Sequence, residues 1–186
     1  MLELKKNKFE PEISDELKDK LLKVKVFLTD VDGVLTEGKI YYAGELAGGF
    51  MRSFNANDGF GMRMLKKAGF QSGFISGGKS RGVFLRGRQL QLDYMFLGNE
   101  DKRQAYDTIL EVSGLKDENI LYLGDESFDV PLLERAGFSA APPHSAVEVL
   151  NAVDYVTKNE AGNGCVREVI DLLFWAHKVP SFVPTF

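Results

Sequence analysis

From residue 24 onward the chain alternates short β-rich runs with helical stretches, and that rhythm leaves few folds open. Val24-Lys25-Val26-Phe27-Leu28-Thr29 reads as a buried strand. Gly73-Phe74-Ile75, Asp93 to Leu97, Ile120-Leu121-Tyr122-Leu123, Phe138-Ser139-Ala140 and Tyr155-Val156 read as further strands. Apolar spacing predicts a helix from Asp58, as N-cap, to Ala68, with Gly69 as its stop. Further helices are predicted over 79–91, 100–112, 129–136, 147–150 and 164–177. Strands and helices alternating in this way imply an α/β domain, a parallel sheet with helices on both faces. One insertion breaks the rhythm. Lys39 to Tyr42 and Phe50 to Phe54 alternate around Ala43-Gly44-Glu45 to Gly48-Gly49, which predicts a β-hairpin over 39–54.

The 186 residues suit a single domain, 1–186, with a charged N-terminal arm at 1–20 and an apolar C-terminal tail at 178–186. A net charge of −4 argues against nucleic acid as a partner. No apolar stretch approaches the roughly 20 residues a membrane span needs, and Met1 to Lys20 lacks the apolar segment of a secretory signal. The expected location is therefore the cytoplasm, with no membrane partner. Cys165 is the one cysteine and reads as a small buried apolar residue. His144 and His177 show no partner pattern, and Phe84, Phe174 and Trp175 read as packing residues.

In parallel α/β sheets ligands bind beyond the carboxyl ends of the strands, and the chemically capable residues fall there. Asp30-Val31-Asp32-Gly33-Val34-Leu35-Thr36 follows the first strand directly. Asp30 is placed to attack a phosphorus atom as a carboxylate nucleophile. Asp32 is placed to protonate the leaving oxygen and later to deprotonate water. Gly124-Asp125-Glu126-Ser127-Phe128-Asp129 follows the strand at 120–123, which brings Asp125 near Asp30. Such carboxylates form a hard oxygen shell suited to Mg²⁺, with Asp30, Asp32 and Asp125 as the ligand set and Asp129 as a positioning group. Ser76-Gly77 ends the strand at 73–75 and offers a hydroxyl and amides to phosphate oxygens at a helix start. Lys102, at the start of another helix, supplies a point charge for the same oxygens.

This ordered set resembles the haloacid dehalogenase-like phosphohydrolases. Asp30 to Thr36 is similar to their first motif, Ser76 to the second, Lys102 to the third, and Gly124-Asp125 with Asp129 to the fourth. Phe54-Asn55-Ala56-Asn57-Asp58-Gly59 with Arg63, and Gly162-Asn163-Gly164-Cys165-Val166-Arg167-Glu168, resemble segments of the 3-deoxy-manno-octulosonate 8-phosphate phosphatases and their nonulosonate-phosphate relatives. The resemblance implies a Rossmann-like sheet without a large cap, the hairpin being the only insertion. It also implies Mg²⁺-dependent hydrolysis of a phosphorylated sugar acid through an aspartyl-phosphate, feeding lipopolysaccharide or another surface glycan. A homotetramer is implied, in which hairpins and tails of neighbours close the sites. Asn55, Ala56, Asn57, Asp58, Gly59, Arg63, Gly77 and Arg86 are implied to contact substrate, together with Asp32 and Lys102.

The chain departs from its relatives at Ser76-Gly77-Gly78, where they usually read Thr-Gly-Arg. The hydroxyl is kept and a cation is lost. Either Lys79 or Arg81 replaces it, or the substrate differs. An octulosonate 8-phosphate is the first expectation and a nonulosonate 9-phosphate the second. A catalytically idle oligomerisation module is a third possibility, opposed by the presence of Asp30, Asp32, Lys102 and Asp125. A signalling receiver domain fits poorly, since the segment Asp93 to Leu97 has no acidic residue at its end.

Overall fold

The computed structural model describes residues 10–45 and 49–180. The first nine residues of the N-terminal arm, the hairpin tip at 46–48 and the tail from 181 lie outside the described residues.

Six strands form one parallel sheet in the order β5-β4-β1-β6-β7-β8. They are β1 (Val26–Thr29), β4 (Gln71–Ser76), β5 (Tyr94–Leu97), β6 (Ile120–Leu123), β7 (Phe138–Ala141) and β8 (Tyr155–Val156). The hairpin is a separate pair, β2 (Tyr41–Tyr42) and β3 (Phe50–Met51), with Tyr41 opposite Met51 and Tyr42 opposite Phe50. It is shorter than its sequence pattern suggests.

Alternation along the strands sorts the core into two layers, because successive side chains point to opposite faces. Phe27, Phe74, Leu121, Leu123 and Ala140 belong to one buried cluster, and Val26, Leu28, Ile75, Ile120, Tyr122 and Ala141 to the other. The first cluster takes residues from α1 (Asp15–Lys23), α2 (Ala56–Lys67), α3 (Arg81–Leu90) and α7 (Cys165–Ala176). The second takes them from α4 (Arg103–Ser113), α5 (Val130–Leu133) and α6 (Val147–Ala152). The sheet is thus covered on both faces, as the rhythm of the sequence predicts.

Helix α7 shows how the sequence sets a face. Cys165, Val166, Val169, Ile170, Leu172, Leu173 and Ala176 are all buried, a spacing that makes one broad stripe at 3.6 residues per turn. Each fully buried aliphatic side chain contributes about 1.5–3 kcal/mol by leaving water. The Cys165 thiol points to the Val34 carbonyl at 3.3 Å, and burial pushes it up to about 12, which keeps it an inert core residue. His144 is exposed beside Glu160, and His177 caps α7 near the Leu21 carbonyl. Phe174 is buried, but Phe84 is exposed on α3. Part of the N-terminal arm is the capped helix α1, where Ser14 accepts from the Leu17 amide and Leu21 is buried.

Helix α2 begins earlier than its pattern suggests. Asn55, with an extended backbone, is the N-cap and accepts from the Asn57 amide at 2.8 Å. Asp58, expected as that cap, is instead buried and turned toward α7. Its carboxylate accepts from the amides of Gly164 at 3.2 Å and Arg167 at 2.8 Å. A carboxylate on the first amides of a helix satisfies donors that have no partner within it and meets the positive end of its dipole. Nearby, Glu168 accepts from the Lys158 and Asn159 amides and the Tyr155 hydroxyl. The two sequence segments at 54–59 and 162–168 therefore form one joint between α2, β8 and α7.

Candidate active site

β1 lies between β4 and β6; the chain runs outward through β4 and β5 on one side and crosses back to β6 on the other, so a crevice opens at the carboxyl end of β1. Asp30 is the first residue beyond β1, and its amide donates to the Leu123 carbonyl at 2.8 Å. That bond holds the carboxylate at the junction of β1 and β6. A cavity of about 340 Å³ opens there, walled by Asp30, Asp32, Gly33, Ser76, Gly77, Gly78, Asp125 and others.

Lys102 is buried behind Asp30. Its ammonium lies 3.0 Å from Asp30 Oδ1, 2.6 Å from Asp129 Oδ1 and 3.4 Å from the Tyr122 hydroxyl, with the Phe128 ring 4.6 Å away. Asp129 is fully committed. Its Oδ1 also accepts from the Tyr122 hydroxyl at 2.5 Å, and its Oδ2 accepts from the amides of Asp125 and Glu126. Gly124 is required beside it, since a Cβ would come within 2.5 Å of the Asp129 side chain.

Oxygens of Asp30, Asp125 and Asp129 converge within 4.8 Å of one another. Three carboxylates around one ammonium leave excess negative charge in a buried place, and like charges raise one another's pKa. Burial, opposed by Lys102, pushes Asp30 up to about 7. Burial, reinforced by Asp30, pushes Asp125 up to about 8. Among the described residues Asp125 Oδ1 is buried without a hydrogen-bond partner. Gly33 has a φ of +87°, and a Cβ there would fall on the Asp125 carboxylate, so only glycine in the turn after Asp32 leaves room for that carboxylate. An unpartnered hard oxygen, facing a second carboxylate across an open cavity, fits a divalent cation on Asp30 and Asp125. Asp129, its four bonds made, fits the positioning part.

Several expected residues sit elsewhere. The Asp32 carboxylate lies outside the converging oxygens. Both its oxygens are taken by Arg52, Nε to Oδ1 at 2.5 Å and Nη2 to Oδ2 at 2.9 Å. Ser76 and Gly77 do wall the cavity, but α3 begins only at Arg81, so no helix start faces them. Ser76 Oγ accepts from the Gly78 amide at 3.2 Å, which leaves its hydrogen available to donate. Lys102 is absent from the cavity wall, because its partners surround it.

The residues expected to touch substrate at 55–59, with Arg63 and Arg86, also stay off this wall. Asn55 and Asp58 are used as caps, Ala56 and Asn57 are exposed at the start of α2, and Arg63 is exposed on its outer face. Arg86 donates to the Asn55 carbonyl at 3.3 Å and lies over the Phe54 ring; Gly59 has no room for a Cβ because of it. Sequence reasoning missed Tyr122 and Arg52. Tyr122 read as one more apolar strand residue, and Arg52 as the polar position of an alternating hairpin strand.

The geometry has counterparts among known proteins. Residues 88–169 match the family model described as haloacid dehalogenase-like hydrolase. The 3-deoxy-D-manno-octulosonate 8-phosphate phosphatase of Haemophilus influenzae is 34% identical over 169 residues, covering 91% of this chain and 93% of that protein. The crystal structure of the phosphatase of that name from Moraxella catarrhalis, in complex with magnesium, phosphate and KDO, is similar with a TM-score of 0.84. It is 32% identical, covering 88% of this chain and 93% of that one. The cobalt-bound Haemophilus influenzae structure is similar with a TM-score of 0.83 and 35% identity, covering 89% and 96%.

Proposed function

The chain belongs to the haloacid dehalogenase-like hydrolases, and from that premise we propose that it is a Mg²⁺-dependent phosphatase of a ulosonate sugar phosphate, with 3-deoxy-D-manno-octulosonate 8-phosphate as substrate. The observation that carries this reading is the convergence of Asp30 and Asp125 oxygens at the end of β1, one of them buried and unpartnered. Similarity to octulosonate 8-phosphate phosphatases over nine-tenths of the chain supports the substrate.

Asp30 attacks phosphorus, forming an O–P bond as the ester P–O bond breaks. Asp32 gives the departing sugar oxygen its proton. In the second step Asp32 takes a proton from water, the water oxygen attacks phosphorus, and the Asp30–phosphorus bond breaks to release phosphate. Lys102 is a positioning residue that holds Asp30 against Asp129, and the Ser76 hydroxyl donates to a phosphate oxygen. Magnesium bound by Asp30 and Asp125 supplies positive charge that offsets repulsion between the carboxylate and the phosphate dianion.

Phosphate release from a panel of sugar phosphates, with Mg²⁺ and with EDTA, tests the reading. Strong metal-dependent preference for octulosonate 8-phosphate supports it. Preference for a nonulosonate 9-phosphate moves the substrate, and no release from any ester promotes the idle module. We also propose a cytoplasmic homotetramer. Exposed Ile40, Tyr41, Tyr42, Phe50 and Met51 on the hairpin support association, and a monomeric mass in solution would refute it.

Metal affinity follows from the two raised carboxyls. Without metal, Asp30 and Asp125 are protonated in the folded state and ionised in the unfolded one between about pH 4 and their folded values of about 7 and 8. The unfolded state binds fewer protons there, so stability falls as pH rises through that window. Magnesium competes with those protons and binds better at high pH. The rise in melting temperature on adding excess Mg²⁺ is therefore expected to be larger at pH 8 than at pH 5.5, by roughly 5 °C for a domain of this size. Equal shifts at both pH values would count against a cation on these two carboxylates.

A further inference from the structure

Arg52 follows β3 at the base of the hairpin, and its side chain is only 8% exposed. It forks onto Asp32 with two bonds, at 2.5 and 2.9 Å. One of those oxygens carries the proton in each half of the proposed reaction. A guanidinium on both of them competes with a leaving group or water for the same carboxylate.

Gly78 leaves room for this pair. A Cβ there would lie 3.3 Å from Arg52 Nη2 and 3.3 Å from Asp32 Oδ2, so a side chain at 78 would crowd the ion pair. Arg52 thus brings a cation from the hairpin beside the position where the chain departs from its relatives. On its other side Arg52 walls a second cavity of about 270 Å³. Lys79 and Arg81 line it as well, with Ile40 and Phe50 as its apolar side. Arg52 therefore links the phosphate cavity, through Asp32 in its wall, to a cation-lined one that holds no carboxylate among the described residues.

We propose that Arg52 is a specificity-determining residue for the carboxylate of the substrate. The carboxylate enters the cavity beside β3, takes the guanidinium fork from Asp32, and frees Asp32 for proton transfer. Lys79 and Arg81 add charge to the same cavity. This deepens the proposed function and rests on it for the ulosonate class. A planar guanidinium exchanges one carboxylate for another with little loss, because both present the same two-oxygen edge. A substrate without a carboxylate leaves Asp32 latched.

The test compares wild type with Arg52→Gln and Arg52→Lys on octulosonate 8-phosphate and on p-nitrophenyl phosphate, an ester without a carboxylate. Arg52→Gln is expected to lower kcat/KM on the sugar-acid phosphate by roughly 30-fold or more, mainly through KM, since a site built to pair a polar group discriminates strongly when the pairing is lost. On p-nitrophenyl phosphate the same variant is expected to raise kcat severalfold, as Asp32 is unlatched. Arg52→Lys, which keeps the charge without the fork, falls between. Free N-acetylneuraminate is expected to inhibit p-nitrophenyl phosphate hydrolysis in wild type far better than its methyl ester does, and Arg52→Gln to lose that preference. Parallel losses on both esters, or acid and methyl ester inhibiting wild type alike, would overturn the proposal. If wild type hydrolyses p-nitrophenyl phosphate but no ulosonate phosphate, the substrate reading fails by itself, and the p-nitrophenyl phosphate arms still decide the role of Arg52.

Discussion

Asp30→Asn is expected to abolish Mg²⁺-dependent phosphate release, by roughly ten-thousand-fold or more, as loss of a nucleophile that acts as a unit with its acid–base partner does. The fold is expected to survive the change. Burial outweighs the pull of Lys102 and pushes the Asp30 carboxyl up to about 7, so the folded protein favours the neutral form. Asparagine supplies a neutral group of the same shape. The sign follows directly: at pH 8 without metal, where wild type must bury an ionised Asp30, the variant should melt at the same temperature or higher. Added Mg²⁺ should stabilise it much less than wild type, because one of two carboxylates facing the cation is gone. Phosphate release and thermal melts, with and without EDTA, check both halves. A variant that keeps substantial turnover would remove Asp30 from the chemistry. One that fails to fold would show that its charge is structural.

What the sequence made legible was whatever depends on neighbours along the chain. The strand-and-helix rhythm follows from local apolar spacing, and β6 and β8 fall at the residues expected for them. Asp30, Ser76 and Asp125 could be placed on one rim because strand ends in a parallel sheet share a side. Contacts between distant segments were not legible. Asn55, Asn57 and Asp58 are all chemically able to cap α2, and nothing local shows that Asp58 is needed by α7, more than a hundred positions away. The pairing of Arg52 with Asp32 depends on how the hairpin folds back over β1, which an alternating pattern does not encode. Phe84 reads as a packing residue, yet it is exposed on α3. Lys102 reads as part of the site, but a charge aimed at phosphate and a charge buried among carboxylates look alike in a sequence.

That difference can be measured through Lys102→Met, which keeps the length of the side chain and deletes the ammonium. If Lys102 served mainly to greet phosphate, the variant would bind substrate poorly and stay stable. The structure argues for a larger effect. The Lys102 side chain is 0% exposed and touches Asp30, Asp129 and the Tyr122 hydroxyl. Removing one partner from a buried charge cluster costs about 3–5 kcal/mol, because the opposite charges remain behind unpaired. For a domain of this length that is a fall in melting temperature of roughly 6–20 °C. The loss should depend on pH in a defined direction. Without its cation Asp30 holds a proton more firmly still, so the folded state is penalised more as pH rises, and the deficit should be larger at pH 8 than at pH 5. Adding Asp129→Asn to Lys102→Met should recover part of the loss, since asparagine can keep an acceptor toward the Asp125 and Glu126 amides while removing one stranded charge. A Lys102→Met protein with wild-type stability at both pH values would mean that Lys102 does not neutralise this cluster, and its place in the site would revert to a direct contact with the substrate phosphate.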